Sequence, residues 1–200
     1  MKAHTKIRIR PPTVLFFALL ILLDRSALSL IPIAAALCHE LGHIIVMRAV
    51  KMDVYEVEIT MFGAEIRTPT YRGGEFARAA VYAAGGAANI ISAAIVWALG
   101  KGSVYAEFFV ACSLALAFVN LLPIRSLDGG CILASLLAHL APYHEHSIVS
   151  AVSAVTLSLL WLAAVYILLV CEGNLSLLVF CMYLFAEVFL NVELTRRSAW

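Results

Sequence analysis

The chain has 200 residues, of which 63% are hydrophobic and only 14% are charged, and its mean hydropathy is +0.95. Soluble domains carry about 25% charged residues, so this composition excludes a soluble domain and predicts an integral membrane protein. The net charge of +1 is too small to indicate a nucleic-acid partner.

Six stretches are candidates for membrane-spanning helices, which need about 20 mostly apolar residues. In chain order they are Val14–Leu23, Ala27–Met47, Ala79–Leu99, Val104–Leu122, Ile148–Val170 and Leu175–Val192. A shorter apolar stretch, Gly129–Ala141, is either a continuation of the broken fourth element or a half-helix. We therefore predict an all-α polytopic membrane protein with six transmembrane helices, forming a single membrane-embedded domain over residues 1–200.

The connection between the second and third candidate helices has a different pattern. From Val54 onwards, apolar and polar residues alternate, and the alternation continues after Phe62-Gly63 to Thr68. A period of two is typical of a strand, and a glycine between two such runs is typical of a turn. The pattern predicts a β-hairpin at about residues 54–68, on the cytoplasmic surface of the membrane.

Basic residues are distributed unequally between the two faces that six spans would create. Twelve lysines and arginines fall on the face that holds both termini, whereas only Arg25 and Lys101 fall on the other. Because basic loops stay in the cytoplasm, both termini are expected to be cytoplasmic. The basic arm MKAHTKIRIRPP is therefore interpreted as a topology signal and not as a cleaved leader.

The second candidate helix contains the sequence HELGH, in which His39 and His43 are four positions apart and Glu40 follows His39. Residues i and i+4 lie on one face of a helix, so both imidazoles can bind one zinc ion while Glu40 acts as the general base. Ionisable groups inside a spanning helix cost about 2.5–3.5 kcal/mol each and are usually functional. A hydrogen-bonded cluster without metal is the alternative.

Zinc needs a third protein ligand, and Asp128 is the first candidate. Pro123 ends the fourth candidate helix, and Gly129-Gly130 allows a tight backbone turn next to the carboxylate. Asp128 is also interpretable as an ordinary helix N-cap. Glu187 in the last span is the rival ligand.

A second group of metal-binding residue types, His144-Glu145-His146, follows Pro142. It is interpreted as part of a solvated loop, because no further ligands cluster near it in the sequence.

HELGH in a membrane helix, followed about 85 residues later by N-x-x-P-x-x-x-L-D-G, resembles the site-2 protease family of intramembrane zinc metalloproteases, peptidase family M50. The segment AAGGAAN, which ends at Asn89, is similar to the A-G-P-x-x-N element of that family. The run FVNLLPIRSLDGG is most similar to the branch that contains the stage IV sporulation membrane protease. Two positions depart from the family pattern, with Gly86 and Leu121 standing where prolines are usual.

The resemblance implies that His39, His43 and Asp128 bind one Zn²⁺ and that Glu40 is the general base. It implies that Asn89 and Asn120 lie near the site and orient the substrate or stabilise the oxyanion. Packing between helices is the alternative role for Asn89.

The resemblance also implies a membrane-tethered protein substrate, with the precursor of a sigma factor or another transcription factor as a candidate. The protein would be a multi-pass component of a bacterial or forespore-surrounding membrane. A membrane regulator and a second copy of the chain are further candidate partners. Since the chain ends at Trp200, we expect neither a PDZ nor a CBS domain.

Two other functions compete with proteolysis. A membrane metal transporter or sensor would need ligands but no base next to the metal, and would have further His or Asp residues along a path. A catalytically inactive scaffold would not need HELGH and LDG intact. The sequence therefore favours an intramembrane metalloendopeptidase.

Overall fold

The computed structural model describes residues 6–9, 28, 30–52, 56–60, 63–67, 74–170, 181–182 and 184–185. Eight elements have defined bounds within these residues. They are β1 (Lys6–Ile9), α1 (Leu30–Ala49), β2 (Glu56–Thr60), β3 (Gly63–Arg67), α2 (Glu75–Leu99), α3 (Val104–Asn120), α4 (Asp128–Leu140) and α5 (Glu145–Val170). The chain divides into two compact units, Met1–Asn120 and Leu121–Trp200.

Three of the described helices, α1, α2 and α5, are long and apolar enough to cross a membrane, and α3 and α4 are shorter apolar helices. The predicted span at 14–23 lies outside the described residues. Only four residues of the predicted span at 175–192 are described, and all four are helical. The apolar helices agree with an integral membrane protein, whereas the number of six spans stays a prediction.

A small sheet with the strand order β1-β2-β3 belongs to the first unit. Strands β2 and β3 pair antiparallel, with Glu56 opposite Arg67 and Thr60 opposite Gly63, inside the range for which the hairpin was predicted. Gly63 begins β3, and residues 61 and 62 lie outside the described part of the chain. Strand β1 pairs parallel to β2, so the basic N-terminal arm contributes a strand that was not predicted.

Helix α1 ends in a well-defined backbone motif. Arg48 lies in its last turn, where a positive charge interacts favourably with the helix dipole. The N–H of Lys51 donates to the carbonyl of Arg48 at 3.2 Å, and the N–H of Met52 donates to that of Met47 at 2.9 Å. These bonds form a Schellman motif, with Lys51 in the left-handed conformation (φ 55°) that glycine usually adopts.

Helices α1 and α2 approach each other closely because small residues line the crossing. The buried residues of α2 include Ala84, Gly85 and Gly86, and such small residues let helix backbones approach each other closely. Gly42 of α1 lies against this face: a Cβ atom there would be 2.4 Å from the carbonyl oxygen of Ala84. Helix α3 packs on both α1 and α2.

The second unit contains α4 and α5, which contact each other, and the turn at residues 121–127 that precedes α4. Ile124 in this turn is fully buried and forms a hydrophobic cluster with Leu157 and Leu184. Apolar side chains from the turn and from α5 pack around the cluster. The turn is therefore an ordered structural element, although it is neither helix nor strand.

Candidate metal centre

The two histidines of HELGH lie on one buried face of α1, as their spacing predicts. His39 and His43 are 5% and 7% exposed, respectively. Their Nε2 atoms are 3.1 Å apart, and the planes of the two rings are 82° apart. The nitrogen atoms that would bind a metal thus converge on one point.

Three residues of α2, spaced by four, surround this histidine pair. The carbonyl oxygen of Val81 is 2.7 Å from Nδ1 of His43, and the amide nitrogen of Asn89 is 3.3 Å from Nδ1 of His39. Between them lies Gly85, where a Cβ atom would be 2.4 Å from Nε2 of His43 and 2.7 Å from Cε1 of His39. Residues at i, i+4 and i+8 share one helix face, so a single stripe of α2 supports both imidazoles.

The hydrogen bond from Nδ1 of His43 fixes the tautomer of that ring. A carbonyl oxygen can only accept, so Nδ1 carries the hydrogen and donates it to Val81. The neutral ring then has a lone pair at Nε2, which is the form that binds a metal. The sequence contained no signal for this contact, because the group that makes it belongs to the backbone.

Glu40 follows His39 on α1 and is partly buried. Its Oε2 atom is excluded from solvent. A partly buried carboxylate one residue after a candidate metal ligand is a residue type that can act as a general base.

Asp128 is the first residue of α4 and lies in its first turn, where the helix dipole favours a negative charge. The N-cap position belongs to Leu127 and has no side-chain cap, so the alternative of Asp128 as an N-cap is wrong. A Cβ atom at Gly129 would be 2.2 Å from the carbonyl oxygen of Leu121, and one at Gly130 would be 2.1 Å from that of Ile124. The two glycines therefore let the preceding turn lie directly against the start of the helix.

The turn that precedes Asp128 is tied to α5 by Ser153, which is 3% exposed. The backbone N–H of Arg125 donates to the hydroxyl of Ser153 at 3.0 Å. The hydroxyl itself lies 2.7 Å from the carbonyl of Val149 and 3.3 Å from that of Pro123, and it can donate its one hydrogen to either. Sequence reasoning missed Ser153, because a serine in an apolar helix has no distinctive pattern.

His39, His43 and Asp128 form a group whose three ligand atoms all lie within 4.8 Å of one another. Two nitrogens bound to a tetrahedral zinc at about 2.0–2.1 Å are about 3.3 Å apart, close to the 3.1 Å between the two Nε2 atoms. Two imidazoles and one carboxylate are a donor set that zinc accepts with an open fourth position. The residues present thus fit the ion that the sequence predicted.

Three other sequence predictions concern Asn120, the rival ligand Glu187 and the histidine group at residues 144–146. Asn120 is the last residue of α3, and its amide donates to the carbonyl of Leu116 in its own helix at 3.1 Å. The rival ligand Glu187 lies outside the described residues. His146 does not lie in a loop but in the first turn of α5, where its Nδ1 atom is 2.9 Å from Nη1 of Arg125.

Comparisons with known proteins agree with this architecture. The model of "Peptidase family M50" matches residues 103–162, a segment that includes Asp128 but not HELGH. The structure titled "Site-2 Protease from Methanocaldococcus jannaschii" is similar to this chain, with a TM-score of 0.68 and 16% sequence identity. The similarity covers 92% of this chain and 89% of that one. No curated protein matches the chain in sequence. The chain therefore has the fold of a site-2 protease.

Proposed function

We propose that this protein is an intramembrane zinc metalloendopeptidase of the site-2 protease type. It hydrolyses a peptide bond in or near the transmembrane segment of a membrane-tethered protein. The observation that carries the proposal is the group formed by His39, His43 and Asp128, with Glu40 directly after His39 in the sequence. The match to Peptidase family M50 and the fold support the same activity.

His39, His43 and Asp128 would hold the ion through two imidazole nitrogens and one carboxylate oxygen. When bound, zinc polarises a carbonyl group and lowers the pKa of water, so that a nucleophile is available at neutral pH. The protein has to hold the ligands in place and keep one position open.

Glu40 would move the proton that this reaction releases. Its carboxylate accepts a proton from the attacking water and later donates it to the leaving amine. General acid–base catalysis by a positioned side chain contributes about 10²–10⁴-fold to a rate. Because Glu40 is not one of the three proposed ligands, its loss should affect hydrolysis but not metal binding.

The substrate has to unwind locally, because a helix hides its carbonyl groups in hydrogen bonds. An extended peptide can then pair with an exposed strand. Strand β3 lies at one edge of the described sheet and contacts α1, which bears the histidines. We propose that the hairpin at 54–68 binds the unwound substrate.

The distribution of basic residues supports a multi-pass topology with both termini in the cytoplasm. Products released on that side would include a cytoplasmic domain that had been tethered to the membrane. A membrane-tethered transcription-factor precursor, such as a pro-sigma factor in a spore-forming bacterium, is the first candidate substrate.

The activity is tested by co-expressing the chain with tethered transcription-factor precursors and comparing wild type with Glu40→Gln. We expect the wild type to release the cytoplasmic domain and Glu40→Gln to leave it attached, while both purified proteins retain one zinc per chain. Processing that persists in the variant would overturn the proteolytic assignment. Zinc uptake into vesicles that is equal for both proteins would instead indicate a transporter.

The role of the hairpin is tested separately by replacing residues 54–68 with a flexible linker. We expect cleavage to fall while the zinc content stays at one ion per chain, since none of the proposed ligands lies in this segment. Unchanged cleavage of the same substrate would show that the hairpin does not bind it.

A further inference from the structure

Asn89 is fully buried on α2 and lies next to His39. Its amide nitrogen Nδ2 is 3.3 Å from Nδ1 of His39. Its amide oxygen Oδ1 is also buried and has no hydrogen-bond partner among the described residues. Buried polar atoms nearly always have a partner, so an unpartnered oxygen next to a proposed metal ligand requires an explanation.

The orientation of the Asn89 amide decides which nitrogen of His39 carries the hydrogen. If Nδ2 faces the ring, Nδ1 of His39 must accept, and the hydrogen of the neutral imidazole lies on Nε2. That hydrogen then points towards Nε2 of His43, 3.1 Å away. In this arrangement His39 has no lone pair to offer to a metal at Nε2.

A half-turn of the amide reverses this assignment. Oxygen and nitrogen of a carboxamide are nearly identical in size, so the turn exchanges them without displacing any neighbouring atom. Oδ1 then accepts the hydrogen from Nδ1 of His39, and Nε2 regains its lone pair. His39 thereby acquires the same tautomer that Val81 imposes on His43, while Nδ2 takes the buried position that Oδ1 had.

We propose that Asn89 is a positioning residue that selects the metal-binding tautomer of His39 by presenting its amide oxygen to Nδ1. This proposal rests on the proposed metal site and assigns Asn89 a role different from oxyanion stabilisation or packing alone. The amide can form a hydrogen bond with Nδ1 of His39 in either neutral tautomer, because it contains both a donor and an acceptor. The carbonyl of Val81 can only accept, so it can form a hydrogen bond only with a His43 ring that carries a hydrogen on Nδ1.

The test compares the zinc affinities of Asn89→Leu and Asn89→Asp, measured by competition with a chromophoric chelator and without substrate. Leucine has a similar shape but cannot accept a hydrogen bond, so we expect a loss of about 10–100-fold, as is typical for outer partners of metal ligands. Aspartate can accept at Nδ1, so we expect an affinity within about threefold of the wild type. Circular dichroism and gel filtration check the fold of each variant.

Two outcomes of the affinity measurement would overturn the proposal. An unchanged affinity of Asn89→Leu would mean that Asn89 does not act on His39. An equal loss in both variants would mean that the acceptor at Nδ1 is not what matters. An oxyanion donor would behave differently again, since both variants would then lose cleavage while keeping their zinc affinity.

A second measurement does not depend on the folding of any variant. Nitrogen-15 NMR of zinc-loaded wild-type protein with labelled histidine reports which ring nitrogen carries the hydrogen. We expect His39 to be protonated at Nδ1, and coordination through Nδ1 would overturn the proposal. If the wild type binds zinc as expected but cleaves no substrate, the proposed function fails while the role of Asn89 stands.

Discussion

The histidine pair on α1 and the carboxylate at the start of α4 are positioned by different kinds of structure. His39 and His43 lie in a regular helix, and a stripe of α2 contacts both rings through Val81, Gly85 and Asn89. Asp128 follows an irregular turn, whose backbone lies against Gly129. The atoms closest to Gly85 thus belong to imidazole side chains, whereas those closest to Gly129 belong to the backbone. Substitutions in the two regions should therefore differ in whether they affect metal binding alone or stability as well.

The largest effect is expected when a ligand itself is removed. His43→Ala and Asp128→Ala each take away one of three proposed ligands, so the zinc content of the purified protein should fall from one per chain to near zero. The loss of zinc affinity should exceed the loss of about 10–100-fold that is typical when a hydrogen-bond partner of a metal ligand is removed. Elemental analysis by mass spectrometry measures it. Full zinc content in Asp128→Ala would exclude Asp128 as a ligand and would direct attention to Glu187.

The second prediction concerns Gly85→Ala, at a position where the nearest atoms belong to the two imidazole side chains. The new Cβ atom would be 2.4 Å from Nε2 of His43, so the imidazole must move away from the position that it needs for binding. We expect zinc affinity to fall about 10–100-fold, with little change in the free energy of unfolding.

The matched control for this substitution is Gly74→Ala, at a position where a Cβ atom would meet no described atom within 4 Å. Its zinc affinity should equal that of the wild type. Equal affinities of Gly85→Ala and Gly74→Ala would contradict the proposed support of the histidines by α2.

The third prediction concerns Gly129→Ala, at a position where the nearest atoms belong to the backbone. Here the new Cβ atom would be 2.2 Å from the carbonyl oxygen of Leu121, and backbone cannot move aside as a side chain can. Overpacking of this kind typically costs about 1–3 kcal/mol, so the free energy of unfolding should fall together with zinc content. Denaturation in detergent provides the measurement. A variant that loses zinc but keeps the wild-type free energy of unfolding would contradict the proposed difference between the two regions.

The smallest effect is expected for Ser153→Ala, which removes the hydroxyl that binds the N–H of Arg125. A typical hydrogen bond contributes about 0.5–1.5 kcal/mol, so we expect a destabilisation of about 1 kcal/mol. Ser158→Ala is the matched control on the same helix, since Ser158 is exposed and donates to the carbonyl of Ala154 within that helix. Surface changes usually stay within about 0.5 kcal/mol. Equal effects of the two substitutions would show that Ser153 does not stabilise the turn.

The length of the apolar runs was sufficient to predict the described apolar helices, and the i, i+4 spacing was sufficient to predict the shared face of His39 and His43. It could not predict the contacts of Val81 and Gly85 with the histidine rings, because these depend on which helix packs against α1. Asn89 was identified only through a resemblance, and its contact with His39 was not foreseen. The role of Glu187 as a rival ligand stays a prediction, because residue 187 lies outside the described residues.

The residues of strand β1 fit two sequence patterns, a period-two alternation and a basic N-terminal arm. Lys6, Ile7, Arg8 and Ile9 alternate with a period of two, which is typical of a strand. The high basic charge of the same residues favoured an interpretation as a topology signal. The two interpretations are compatible, because a basic strand can lie at the cytoplasmic surface. Its pairing with β2 could not be predicted, since a parallel partner can lie anywhere along the chain.

X-ray absorption at the zinc K-edge of the purified protein tests the proposed metal centre most directly. We expect one zinc per chain, bound by two imidazoles and by oxygen, with all ligand distances near about 2.0–2.2 Å. A sulfur ligand at about 2.3 Å, a single imidazole, or purified protein that retains no metal would contradict the account.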